Sequence, residues 1–132
     1  MELKTLNEIE IISAPHSKIS EVDFENLTFG NVFTDHMLVC DYVDGAWQKP
    51  VIEPYAPFMI DPSAKVFHYG QAIFEGMKAY KDEQDDVWLF RPDENYHRFN
   101  KSATRMAMPE VPEDIFLGGL HRLLEIEKEW VK

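Results

Sequence analysis

An α+β fold, antiparallel β-hairpins packed by two helices at the C-terminal end, is what three features of this 132-residue sequence predict. Two β-prone runs, DHMLVCDY and AWQKPVIEPY, flank the turn signal Asp44-Gly45. Two more, GMKAY and VWLF, flank the charged tip KDEQDD. From Pro92 onward the apolar residues recur at helical spacing instead.

Taken in order, the chain begins with about 20 residues that read as a leader strand and a loop, Pro15 and Ser17 breaking the apolar run IEII. The first hairpin spans Thr34 to Pro54. Pro50 and Pro54 put its return strand at a sheet edge, or fall near that strand's ends. PYAPFMIDPSAK, with prolines at 54, 57 and 62, reads as an irregular connection. The stretch FHYGQAIFEGMKAY, Phe67 to Tyr80, then joins aromatics, two glycines and a lone carboxylate, a mixture that neither a plain strand nor a plain helix needs. After the second hairpin, Pro92 suits the first turn of a helix, with Asp93 and Glu94 at the positive end of its dipole. That helix should run to about Met106 and stop before Pro109. A second, about Glu113 to Val131, would bury Phe116, Leu120, Leu123, Leu124 and Trp130. Residues 1–132 read as one domain, without internal repeats or a long linker.

With 45% hydrophobic residues the chain should fold rather than stay disordered. Its net charge of −11 argues against nucleic acid or an anionic membrane as the main partner, while leaving room for a small anion in a local basic pocket. Cys40 is the only cysteine, so no internal disulfide can form and a reducing compartment is expected. No apolar run approaches the roughly 20 residues of a membrane span. The N-terminus MELKTLNEIEI is too charged for a signal peptide. A soluble, cytoplasmic protein is the expectation.

Chemistry concentrates on the first long helix. Tyr96, Phe99, Ala103 and Met106 form one apolar stripe, and Arg98, Lys101 and Arg105 form a wholly cationic one. Such a stripe can hold a phosphate, because a guanidinium matches phosphate oxygens bidentately. It can equally be a solvated face pairing with nearby acids, and spacing alone favours that alternative. His36, His68 and His97 make no ligand pair, so no metal site is expected. Cys40, in an apolar run, reads as a small core residue rather than a nucleophile. EQDD and PDEN lack the oxygen-ligand spacing of a calcium loop and read as a solvated turn and a helix start. Glycine-rich phosphate loops and a nucleophile elbow are absent.

Three blocks, FGNVFTDHMLVCDY, HYGQAIFEGMKAY and LFRPDENYHRFNKSATRMAMP, together resemble the N-terminal portion of branched-chain amino acid aminotransferases, pyridoxal-phosphate enzymes of fold type IV. The resemblance runs from about Phe29 to the end of the chain, and the blocks stand in the family's order and spacing. It implies that Arg98, in the Asn-x-x-Arg-x-x-x-Ser-Ala segment, holds the phosphate of pyridoxal 5′-phosphate. It implies that Phe29, Tyr69 and Phe74 line the pocket for the substrate side chain. An aromatic box suits leucine, isoleucine and valine, whose side chains are wholly apolar. Gly70 and Gly76 would let the backbone turn tightly beside the ligand, and Glu75 reads as a structural hydrogen-bonding residue. The implied reaction passes the amino group to 2-oxoglutarate, giving glutamate. The family's catalytic lysine lies well downstream, and no lysine here stands at its position. By this resemblance the chain is an incomplete small domain with no catalytic residue of its own, inactive alone and homodimeric when full length. Two rivals share the pattern: a stand-alone, non-catalytic binding or interaction module, and another fold-type IV enzyme such as D-amino-acid aminotransferase or aminodeoxychorismate lyase. The FTDHM and FEGMKAY blocks favour the branched-chain group over the latter.

Overall fold

The hairpin expected around Asp44-Gly45 organises the main sheet in the computed structural model, which describes residues 9–132. The start of the charged N-terminus that reads as unlike a signal peptide, residues 1–8, lies outside the described residues. Strand β2 (His36–Val39) leads into β3 (Tyr42–Val43), and β4 (Ala46–Trp47) returns into β5 (Val51–Pro54). Asp44 and Gly45 both have positive φ, +51° and +80°, which makes the two-residue turn whose twist matches that of its strands. Tyr42 pairs with Trp47, whereas Val39 pairs with Val51, so the return strand carries one extra residue between the two ladders. Pro50, with no N–H to give, falls in that bulge.

β5 is nevertheless the central strand, flanked by β2 and by β1 (Glu10–Ile11). Of the two placements open to its prolines, the strand ends are therefore the one adopted. The sheet also departs from the purely antiparallel expectation. β1 joins β5 in parallel, Glu10 opposite Val51 and Ile11 opposite Ile52, and Ile12 N–H reaches Ile52 O at 2.8 Å. Ile52, with strands on both sides, is completely buried.

A short helix that the pattern did not announce, α1 (Lys65–Tyr69), follows the proline-rich connection. Asp61 Oδ1 accepts Ser63 N–H at 2.8 Å and its hydroxyl at 2.6 Å, turning the chain into the helix. Gly70, at φ +59°, ends it. Gly76 does not share that left-handed backbone. The second hairpin forms as β6 (Ala79–Lys81) and β7 (Val87–Leu89). Its acidic tip is internally braced rather than merely solvated. Asp82 accepts the N–H groups of Gln84 (3.0 Å) and Asp86 (2.8 Å) and the Trp88 indole (2.5 Å), while Asp85 meets Lys81 at 3.0 Å and Lys128 at 2.9 Å.

α2 (Pro92–Arg105) matches its expected bounds, with Pro92 in the first turn and Ala103 fully buried. It closes with the paired bonds of a Schellman motif: Met108 N–H to Ala103 O (2.9 Å) and Ala107 N–H to Thr104 O (3.2 Å). The left-handed position holds Ala107, at φ +53°, where glycine would carry no Cβ strain. Ala107→Gly is therefore expected to stabilise the fold by about 0.5–1 kcal/mol, because relieved strain outweighs the added freedom of the unfolded chain. Chemical denaturation measures it, and a loss of stability would contradict this reading of the cap.

The single helix expected from about Glu113 to Val131 starts there but is irregular, and its regular part ends at Ile126. A π-helical turn (Asp114–Gly118) precedes α3 (Gly119–Ile126), and a 3₁₀ turn (Lys128–Trp130) follows. The wider turn sends Leu117, Gly118 and Gly119 inward together, so Leu117 is buried more deeply than the expected Phe116. A Cβ on Gly119 would come within 2.5 Å of Leu38 Cδ2, and glycine there lets α3 lie directly on β2. Phe116 packs instead against the rings of Tyr96 and Phe99, at 5.6 and 5.2 Å between centroids. The described part is thus mixed α/β with three helices. Its buried hydrophobic side chains are few: Ile52, Ala103, Leu117 and Val131, of which Ile52 and Ala103 are fully covered.

Candidate functional site

Because Ala103 and the Tyr96–Phe99 stripe anchor α2 inward, Arg98, Lys101 and Arg105 stand on its exposed side. The segment between Gly70 and β6 runs past that side and delivers Glu75 to Arg98. Arg98 Nε donates to Glu75 Oε1 at 2.6 Å and Nη2 to Oε2 at 2.7 Å. Asn95, one turn earlier on α2, donates its Nδ2 to Glu75 Oε2 at 2.8 Å. The bond from Arg98 holds the Glu75 carboxyl down at about 2, so it stays ionised across the physiological range. The pair is lopsided: the Glu75 side chain is 7% exposed and that of Arg98 68%.

Among the described residues nothing else accepts from Arg98. Glu75 takes the side-on fork formed by Nε and Nη2, and the end-on fork formed by the two Nη groups is left open. Arg98 also lines an open cleft of about 860 Å³ together with Ile73, Phe74, Lys101, Ser102 and Arg105. Three cations, a hydroxyl and an apolar wall can accept a small anion attached to a flat, partly apolar body.

Of the residues singled out from sequence, the structure brings Arg98 and Phe74 into one cleft. Phe29 lines a separate cleft of about 430 Å³ with Phe24, Phe33 and Trp130. Tyr69 ends α1 and lines neither. No ring pair among the described residues joins Phe29, Tyr69 and Phe74. All three are open to solvent, Phe29 fully, Tyr69 at 82% and Phe74 at 90%. Cys40 is half-buried, its thiol donating to Gln48 O at 3.1 Å. Burial and the charges of Asp41 and Asp114 push that thiol up, away from nucleophilic use.

One cluster had no signal in the sequence. Buried Asp35 and Glu127, with His36, tie the start of β2 to both ends of the chain. His36 Nε2 accepts Ala14 N–H at 2.8 Å, so its proton sits on Nδ1 and is donated to Glu127 Oε1. Asp35 accepts Ser17 Oγ–H (2.5 Å), Lys18 N–H (2.8 Å) and the Trp130 indole (3.1 Å). Burial pushes the Asp35 carboxyl up, but these donors outweigh it and hold it below its ordinary 3.8. A depressed carboxyl adds stability above its ordinary value and loses it as pH falls through the folded one. Acid unfolding of the parent should accordingly show a loss of stability below about pH 4 that Asp35→Asn flattens. Identical acid limbs would count against it.

Among the described residues no group of three His, Cys, Asp or Glu is arranged to hold a metal, and no helix is long and apolar enough to cross a membrane.

No family model matches the chain. Individual relatives do. The chain is 53% identical over 110 residues to branched-chain-amino-acid transaminase 1 of Bacillus subtilis, and 48% identical over 116 residues to branched-chain-amino-acid aminotransferase 2 of the same organism. It is 44% identical over 114 residues to the branched-chain-amino-acid aminotransferase of Mycolicibacterium smegmatis. These matches take in 83%, 87% and 86% of this chain but only 31%, 32% and 31% of the relatives. The chain spans about a third of the length of the curated relatives it matches.

Proposed function

We propose, from the chain's belonging over most of its length to the branched-chain-amino-acid aminotransferases, that it forms the small N-terminal domain of a fold-type IV transaminase. That enzyme moves the amino group of L-leucine, L-isoleucine or L-valine to 2-oxoglutarate, giving glutamate. The observation that carries the reading is the open fork of Arg98 in a cleft with Lys101, Ser102 and Arg105.

Those donors fit a dianionic phosphate, so Arg98 would hold the phosphate of pyridoxal 5′-phosphate, with Phe74 as the apolar wall beside it. When bound, the cofactor supplies the electron sink for chemistry at the substrate's α-carbon. This chain's part is to orient and to exclude water. Phe29 and Tyr69 would complete the walls of the side-chain pocket once further parts of the protein cover them, and their exposure supports that. The catalytic lysine and the acid facing the cofactor's ring nitrogen would come from sequence beyond Lys132. A cytoplasmic homodimer completes the proposal.

A substrate panel on the full-length native protein tests it. Transamination of L-leucine, L-isoleucine and L-valine with 2-oxoglutarate is expected, all three being accepted, since a methylene in an apolar box limits discrimination to about 1–3 kcal/mol, roughly 10–200-fold. Turnover of D-alanine without L-leucine would overturn it in favour of a D-amino-acid enzyme.

A further inference from the structure

We infer that Glu75 is a positioning residue, which presets the Arg98 guanidinium so that its end-on fork is presented to an anion in the cleft. The inference rests on the anion reading of that cleft and goes beyond it by assigning the group that orients the arginine. Its first support is the contrast with the surface ion pairs. In Arg91–Glu94, at the start of α2, and Arg122–Glu125, within α3, the partners are three residues apart and both are exposed. In Arg98–Glu75 the acid is nearly covered and the arginine stands out in solvent. The carboxylate is therefore the fixed member of the pair. Its second support is bracing. Asn95 Nδ2 bonds both Glu75 Oε2 (2.8 Å) and Gly76 O (3.3 Å), so one side chain of α2 holds the carboxylate and its own loop in register with Arg98. Its third is the division of the donors, the side-on fork committed to Glu75 and the other left free.

Two effects of Glu75 on an anion oppose each other, and their signs differ. The negative charge repels an incoming anion, so removing it should tighten binding if charge alone matters. Fixing a long side chain in its binding rotamer removes an ordering penalty from association, so losing the fixation should weaken binding. For an exposed, salt-screened site the ordering effect should dominate.

The test is titration of the intact native protein with inorganic phosphate, followed by NMR at the Arg98 Nε–H. Glu75→Gln is expected to weaken phosphate binding about tenfold, and to shift the Arg98 Nε–H signal to that of a solvated arginine. In an Arg98→Lys background, with no fork to orient, Glu75→Gln should leave phosphate affinity unchanged or raise it. Equal or tighter binding in Glu75→Gln, with Arg98→Ala still abolishing binding, would overturn the positioning role while leaving the anion site standing. Phosphate affinity indifferent to Arg98→Ala would remove the anion site, and the inference with it. Should Glu75→Gln fail to fold, Asn95→Ala decides: about threefold weaker binding supports the role, and unchanged binding overturns it.

Discussion

Arg98→Ala in the full-length protein is expected to lower affinity for pyridoxal 5′-phosphate about 100-fold. Two charge-assisted hydrogen bonds to a dianion, at about 1.5 kcal/mol each, amount to that ratio. Cofactor retained after exhaustive dialysis measures it. The substitution also strands Glu75, which keeps only the Asn95 amide as partner. Its carboxyl should rise from about 2 toward its ordinary 4.5, so the stability that Glu75 costs the parent as pH falls from about 4.5 toward 2 should shrink, and the acid limb flattens. The two readouts separate the roles. A variant whose acid limb flattens while cofactor affinity stays unchanged would make Arg98 a structural partner of Glu75 on a solvated face.

Glu127→Ala should produce the largest stability change, a loss of about 2–4 kcal/mol in urea or guanidinium unfolding. It leaves two donors without an acceptor, the His36 Nδ1–H and the Asp35 N–H, which reaches Glu127 Oε2 at 3.4 Å. Each unsatisfied buried donor costs about 1–3 kcal/mol. The residue joins the end of α3 to the start of β2, which itself holds Ala14 through His36, so one deletion slackens three segments. With so few apolar residues fully covered, that is a large share of what holds the fold. A loss under about 0.5 kcal/mol would mean that water replaces the carboxylate without penalty.

What the sequence made legible was local. Asp44-Gly45, the Pro92 helix start and the stripe through Ala103 each depend on residues within a few positions of one another, and each stands where the pattern put it. What escaped depends on distant partners. The parallel docking of β1 on β5 pairs residues about forty positions apart, and nothing in IEII distinguishes parallel from antiparallel. His36 and Glu127 are 91 positions apart. The π-helical turn and the short α1 lie below what a periodic pattern can resolve. At the site, spacing showed the cationic stripe but could not say that Glu75, 23 positions earlier, occupies one fork of Arg98 and leaves the other open. Phe29, Tyr69 and Phe74 are legible as aromatics in distinctive blocks. In the described structure they do not share a cleft.

The central claim, that these residues are one lobe of a larger transaminase, is tested most directly by the intact mass of the native gene product. The matched stretch is 31% of the Bacillus subtilis relative, so a mass well over twice 15.4 kDa is expected. A product of 15.4 kDa alone would contradict the claim, leaving the Arg98 cleft as the site of a free-standing binding domain.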